Sequence, residues 1–207
     1  MNDGATLPTI RYADTSSWEQ WQRDYRYGAF YIFPPPERIE PIDTLRNVHD
    51  PKSAAACQAH ISLSAPLPQP LAASDLAELQ ARLSEVEPFG VYYGPLRDFL
   101  PYPGVAFAIT PEDRFQELRS AIHRTSLFGG TQLKRAHIAP HMTIAEFISI
   151  GRTVELVQEL RGQVREGAFF CDTIEYAVPN SAFYFERVLT ILLGKARQAG
   201  AITSSQD

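Results

Sequence analysis

Two short stretches of this chain pair an imidazole with a hydroxyl at the same spacing: His60-Ile61-Ser62-Leu63 and His141-Met142-Thr143-Ile144. Side chains of an extended strand alternate between faces, so His60 and Ser62 share one face, as do His141 and Thr143. Ile61, Leu63, Met142 and Ile144 then turn toward a core. Two imidazoles titrating near neutrality can take a proton from an attacking oxygen and give one to a leaving oxygen. The hydroxyls beside them can donate to the non-bridging oxygens of a phosphate. Set side by side, the two strands would make a site for phosphoryl displacement that needs neither metal nor cofactor.

The pattern alone is cheap. The chain has five histidines, and His123-Arg124-Thr125 also fits it. That copy falls at the end of a helical stretch, where positions i and i+2 face different sides. His137 and His141 have the i, i+4 spacing of zinc ligands on a helix, but Pro140 between them breaks such a helix and no cysteine pair or nearby carboxylate completes the set. No metal site is therefore expected. Neither G-x-x-x-x-G-K-[ST] nor G-x-G-x-x-G occurs, and Cys57 and Cys171 have no activating neighbour in sequence.

The elements that must position the two motifs follow from periodicity and breakers. Thr15 to Ser17 read as caps of a short helix over Trp18 to Tyr25. Gly28 to Phe33 is aromatic and branched, a strand stopped by Pro34-Pro35-Pro36. Glu37 to Asp50 reads as a helical stretch interrupted by Pro41. Cys57 to Ser64 is the first motif strand. Ser74 caps a helix with Leu76, Leu79, Leu83 and Val86 on one face. Phe89 to Pro95 and Val105 to Ile109 are strands. Thr110-Pro111-Glu112-Asp113 starts a helix whose buried stripe is Phe115, Leu118 and Ile122. Ala139 to Phe147 is the second motif strand, a helix covers Thr153 to Arg165, and Phe169 to Val178 and Phe183 to Leu193 are strands.

These elements repeat. After His60 the helical stripe resumes at Leu76 and the next strand opens at Phe89. After His141 the stripe resumes at Leu156 and the strand opens at Phe169, each at nearly the same offset from its histidine. The expected fold is α+β and bilobal: duplicated βαβ-type lobes related by pseudo-symmetry, about 28–98 and 99–193, within one domain over 28–193. An N-terminal extension, 1–27, precedes it, and a frayed tail, 194–207, follows.

Composition bounds the partners. With 207 residues, 44% hydrophobic and 21% charged, the chain suits one globular domain. A net charge of −5 argues against coating long nucleic acid through a broad basic face, though not against a small anion in a locally basic cleft. Lys134, Arg135 and His137 form one basic cluster just before the second motif. No apolar run is long enough to span a bilayer, Met1 to Asp14 carries no secretory signature, and two cysteines do not make a disulfide scaffold. The expectation is a cytoplasmic monomer with no membrane partner.

On Ala59-His60-Ile61-Ser62-Leu63, Pro140-His141-Met142-Thr143-Ile144, their separation along the chain and the repeated lobes, the chain resembles the 2H phosphoesterase superfamily, in its 2′-5′ RNA ligase and cyclic phosphodiesterase branch. The resemblance covers roughly 28–193. It implies antiparallel-rich sheets flanking a central cleft, metal-independent chemistry and, as partner, a small nucleotide or an RNA terminus bearing a 2′,3′-cyclic phosphate or a 2′-5′ linkage. It makes His60 and His141 the acid–base pair and Ser62 and Thr143 phosphate ligands; Ser62 stands where threonine is commoner and keeps the hydroxyl. Lys134 and Arg135 are candidate phosphate or backbone contacts, and Tyr92, Tyr93 and Tyr184 candidate base-stacking residues. The alternative is a binding protein that keeps the cleft without turnover.

Overall fold

A computed structural model describes residues 7–129 and 138–195. The chain runs α1 (Gln20–Arg23), β1 (Ala29–Ile32), α2 (Pro36–His49), α3 (Pro51–Ala56), β2 (Ile61–Ser62), α4 (Ala73–Leu83), β3 (Phe89–Asp98), β4 (Val105–Thr110), α5 (Glu112–His123), a single 3-10 turn (Ser126–Phe128), β5 (His141–Ala145), α6 (Ile150–Leu160), β6 (Gly167–Cys171), β7 (Thr173–Pro179) and β8 (Phe185–Leu192). One curled, wholly antiparallel sheet holds the eight strands of the described residues in the order β6-β3-β4-β5-β2-β1-β7-β8. The fold is mixed α and β, with the sheet in two matching halves that meet where β5 pairs with β2.

The halves do not follow the expected division at 98/99. The middle of the chain, β3 to β6, forms the half that carries His141, while β1, β2, β7 and β8 form the half that carries His60. The reason lies at Asp172. The expected single strand from Phe169 to Val178 breaks there, because β6 pairs with β3 whereas β7 crosses over to pair with β1. In the sheet, the strands of the middle of the chain, β3 to β6, lie together, and those that precede and follow them, β1, β2, β7 and β8, lie together beside them.

Local chemistry moved several boundaries. Pro41 does not interrupt α2: it falls in the second turn, forfeits one hydrogen bond, and the helix continues with Ile39, Ile42 and Arg46 inward. Only Ile61 and Ser62 of the first motif stretch form ladder, because side chains of α2 take the backbone groups before it: the Asp43 carboxylate accepts from Ala59 N–H at 2.8 Å, and the Arg46 guanidinium donates to the Cys57 carbonyl at 2.6 Å. At the far end of β5 the Asp50 carboxylate accepts from Glu146 N–H at 2.8 Å, ending that ladder at Ala145. Pro111 is the N-cap of α5 rather than its first residue, since β4 extends through Thr110. α4 starts at Ala73, where the Asp75 carboxylate accepts from Ala72 N–H in place of the expected Ser74 cap. α6 begins earlier than expected, capped by the Ser149 hydroxyl, which accepts from Arg152 N–H.

Apolar stripes of α4, α5 and α6 cover one face of the sheet. Leu76, Leu79 and Leu83, Phe115, Leu118 and Ile122, and Leu156, Val157 and Leu160 bury there with Phe30, Ile32, Ile61, Leu63, Phe107, Met142 and Ile144. On the other face, over β1, β7 and β8, the N-terminal extension makes a second small core. Trp18 packs edge-on to Phe183 at 5.1 Å and its indole N–H donates to the Ser181 carbonyl; Tyr31, Cys57, Ala177 and Phe185 complete it. β1 is consequently buried on both faces. The chain enters β1 through Gly28, where a φ of 75° and the Ala177 carbonyl, which an added Cβ would strike, both require glycine. No described helix is long and apolar enough to cross a membrane.

Candidate active site

The two motif strands are antiparallel neighbours, with Ile61 opposite Met142 on the core face. One residue to either side, the register sets His60 opposite Thr143 and Ser62 opposite His141. Each histidine thus faces the hydroxyl of the other motif, and the histidines lie on the diagonal, where Cα atoms are about 7–8 Å apart. Two transverse rows result. One runs Phe33, His60, Thr143, Ala106, Arg97; the other runs Glu175, Tyr31, Ser62, His141, Ala108. The rows are bulky on the β1 side, with Phe33 and Tyr31, and small on the β4 side, with Ala106 and Ala108.

Both imidazoles are held the same way. The Nδ1 of His60 lies 2.7 Å from the Gln58 carbonyl, and the Nδ1 of His141 lies 2.9 Å from the Ala139 carbonyl. A carbonyl only accepts, so each Nδ1 carries the proton, and in the neutral ring each Nε2 is an acceptor. Their surroundings differ. The rings of Tyr31 and Phe33 lie 4.7 and 5.9 Å from that of His60, whereas His141 has Phe99 at 4.8 Å. His123, the third copy of the pattern, is structural: its Nδ1 donates to the Arg119 carbonyl at 2.7 Å and its Nε2 accepts from Ala65 N–H at 3.1 Å, which uses both ring nitrogens inside the protein.

Buried arginines brace the two approaches. Arg46 on α2 is 2% exposed and donates to Asp43, the Cys57 carbonyl and the Ser53 carbonyl, fixing the chain that leads to His60. Arg119 on α5 is 6% exposed and donates to the Ile138 carbonyl at 2.6 Å and the Ser62 carbonyl at 3.1 Å, joining the approach to His141 to the first motif. Asp50 gathers Ser53 N–H, the Ser53 hydroxyl and Glu146 N–H. Burial pushes its carboxyl up, and these hydrogen bonds outweigh burial, so it titrates below the usual carboxylate range.

Burial lowers His60 to about 4. The Gln58 carbonyl opposes that shift, and the nearby charges of Arg46 and His141 add to it. At neutral pH His60 is therefore neutral in the free protein, and the cleft does not hold two imidazoliums. The shift has a consequence for stability. Between pH of about 6.5 and about 4 the unfolded chain binds a proton at this position that the native chain refuses, so stability falls as pH drops through that window. The loss attributable to His60 is at most about 3 kcal/mol. Urea unfolding of the wild-type chain and of His60→Asn across the window measures it; equal pH slopes in the two proteins would remove His60 as the source.

The structure brings His60, Ser62, His141 and Thr143 together. Lys134 and Arg135 lie outside the described residues. Tyr93 is a core residue against Phe107, Tyr92 bonds to Glu166 at the edge of the β3–β6 pair, and Tyr184 is half-buried in the β7–β8 turn; none lies in either row. Cys57 and Cys171 are buried free thiols, each raised by burial to about 12 and so held protonated. Sequence reasoning missed Arg46, Arg119 and Arg187. The signal for the first two was present: Arg46 follows Ile39 and Ile42, and Arg119 follows Phe115, at helical spacing on buried stripes where a charge needs partners. Arg187, exposed on β8, gave no such signal.

A family model described as the 2′-5′ RNA ligase superfamily matches residues 34–178. The fold is similar to that of E. coli LigT in apo form (TM-score 0.53, 14% identity, 80% of this chain and 96% of that one). It is also similar to E. coli LigT complexed with 3′-AMP (TM-score 0.51, 17% identity, 80% and 96% covered) and to a phosphoesterase crystal structure (TM-score 0.51, 16% identity, 80% and 97% covered). No curated protein matches in sequence.

Proposed function

The chain belongs to the 2′-5′ RNA ligase superfamily, a superfamily of phosphoesterases, and on that premise we propose that it is a metal-independent phosphodiesterase acting on 2′,3′-cyclic phosphates or 2′-5′ linkages of RNA ends or small nucleotides. His60 and His141 carry the two proton transfers. One Nε2 takes the proton of the attacking water as its oxygen bonds to phosphorus. The other, as imidazolium, gives its proton to the ribose oxygen as the old P–O bond breaks. With a ribose hydroxyl as nucleophile the same pair runs the joining direction. Ser62 and Thr143 donate to the non-bridging oxygens, where charge gathers in the transition state.

The observation that supports this reading is the crossed arrangement, in which each imidazole faces the other motif's hydroxyl with its Nδ1 occupied by a carbonyl. That the related E. coli LigT has been crystallised with 3′-AMP supports a nucleotide ligand. The test is turnover of a 2′,3′-cyclic nucleotide in the presence of a chelator, with Ser62→Ala and Thr143→Val each lowering kcat about 100-fold. Turnover that the chelator abolishes and a divalent cation restores would sink the metal-independent reading. Unchanged kcat in both variants would remove the hydroxyls from it.

A further inference from the structure

Arg187 stands on the β1 side of the histidine pair and is held there by two contacts. Its Cζ lies 4.0 Å from the centroid of the Phe33 ring, and its Nη2 donates to the Gln58 side-chain carbonyl at 2.7 Å. Both contacts lead directly to His60: Phe33 is its neighbour in the row, with ring centroids 5.9 Å apart, and the backbone carbonyl of Gln58 accepts from its Nδ1. A single residue, Gln58, therefore sets the spacing between the imidazole and the guanidinium. Arg187 is exposed on strand β8 and forms no ion pair with a described carboxylate. A stacked, hydrogen-bonded guanidinium has already lost much of its rotamer freedom, and its planar fork suits a phosphate. Thr143 and Ala106 lie on the opposite side of His60, so Arg187 flanks the hydroxyl-lined position rather than sharing it. It also lies beyond the stretch matched by the family model, 34–178.

We infer that Arg187 is a second anion position that recognises the phosphate neighbouring the reacting one, so that this cleft prefers an oligonucleotide end to a mononucleotide. The inference rests on the phosphodiesterase reading of the cleft and narrows its substrate class. The next phosphate of the substrate stacks its charge against a guanidinium that is already in place, while the reacting phosphate occupies the hydroxyls of Ser62 and Thr143.

Equilibrium binding measures this without requiring turnover. The probes are a dinucleotide with a 3′-terminal phosphate and the matching 3′-mononucleotide, each titrated into the wild-type chain and into Arg187→Ala. The variant is expected to lose about tenfold in affinity for the dinucleotide and to stay within about twofold for the mononucleotide. Its slope of log K against log salt should flatten by about 0.7 with the dinucleotide, for one lost phosphate contact on a single strand. Arg187→Lys keeps the charge and should restore the salt slope with only part of the affinity; it carries the comparison if the alanine variant does not keep the wild-type melting temperature. Equal losses on both probes, or no loss on either, overturn the inference. A wild-type chain that binds both probes but turns over no cyclic phosphate strikes instead at the enzymatic reading and leaves the role of Arg187 standing.

Discussion

His60→Ala and His141→Ala are each expected to lower kcat on a 2′,3′-cyclic nucleotide by about 10²–10⁴-fold. The two rings occupy one diagonal of one strand pair, with both Nδ1 atoms hydrogen-bonded to backbone carbonyls. Removing either ring leaves a phosphate that can still be bound by hydroxyls and an oxygen that cannot be deprotonated or protonated on schedule. The double variant should fall little further than the worse single one, because the two groups act as a unit. His60→Gln serves as the control for packing, since His60 touches Tyr31 and Phe33. Measurement is of kcat in variants with wild-type melting temperature; activity within threefold of wild type in either would end the acid–base assignment.

Arg46→Ala should cost about 3 kcal/mol of stability, the low end of the range for breaking a buried, hydrogen-bonded ion pair, because Arg46 is buried and the Asp43 side chain is 20% exposed. The guanidinium is 2% exposed and holds Asp43 at 2.7 Å together with two backbone carbonyls. Without it the partly buried Asp43 carboxylate keeps only the Ala59 N–H of these partners, and the buried Cys57 and Ser53 carbonyls lose the guanidinium donors. For a chain of this size that loss lowers Tm by roughly 10 °C. Activity should fall further than stability predicts, because Asp43 and Arg46 together fix the Cys57 to Ala59 segment from which His60 projects. Arg46→Met refills most of the volume and should recover the packing share only. A melting temperature within about 2 °C of wild type in Arg46→Ala would show the network to be dispensable.

The candidate constellation was legible from sequence because period-two alternation is local: four residues tell which side chains share a face, and Ile61 and Met142 do sit in the core. The pairing partner of each strand is not local. Nothing between Phe169 and Val178 reveals that the chain leaves one half of the sheet at Asp172 and joins the other. Strand length was misread for a related reason. Cys57 to Ala59 has strand-like composition, but its donors and acceptors go to Asp43 and Arg46, which lie on the helix upstream. The place of Trp18 and Tyr25 is likewise set by Phe183 and Phe185, more than 150 residues along the chain, which pack on them. Arg187 is positioned by Phe33 and Gln58, both far from it in sequence.

The nesting of one half inside the other sets an order on synthesis. The middle half enters at Phe89 and leaves at Cys171, and these two residues are register partners across β3 and β6. That half is therefore complete once Cys171 has left the ribosome, whereas the half that holds β1 and β2 stays unfinished until β7 and β8 emerge. Growing from its N-terminus, the chain can seat the second histidine before the half bearing the first has closed. A nascent chain stopped shortly after Cys171 should hold a protected β3–β6 sheet and an unfinished cleft, and β7 and β8, made afterwards, finish the wall beside His60.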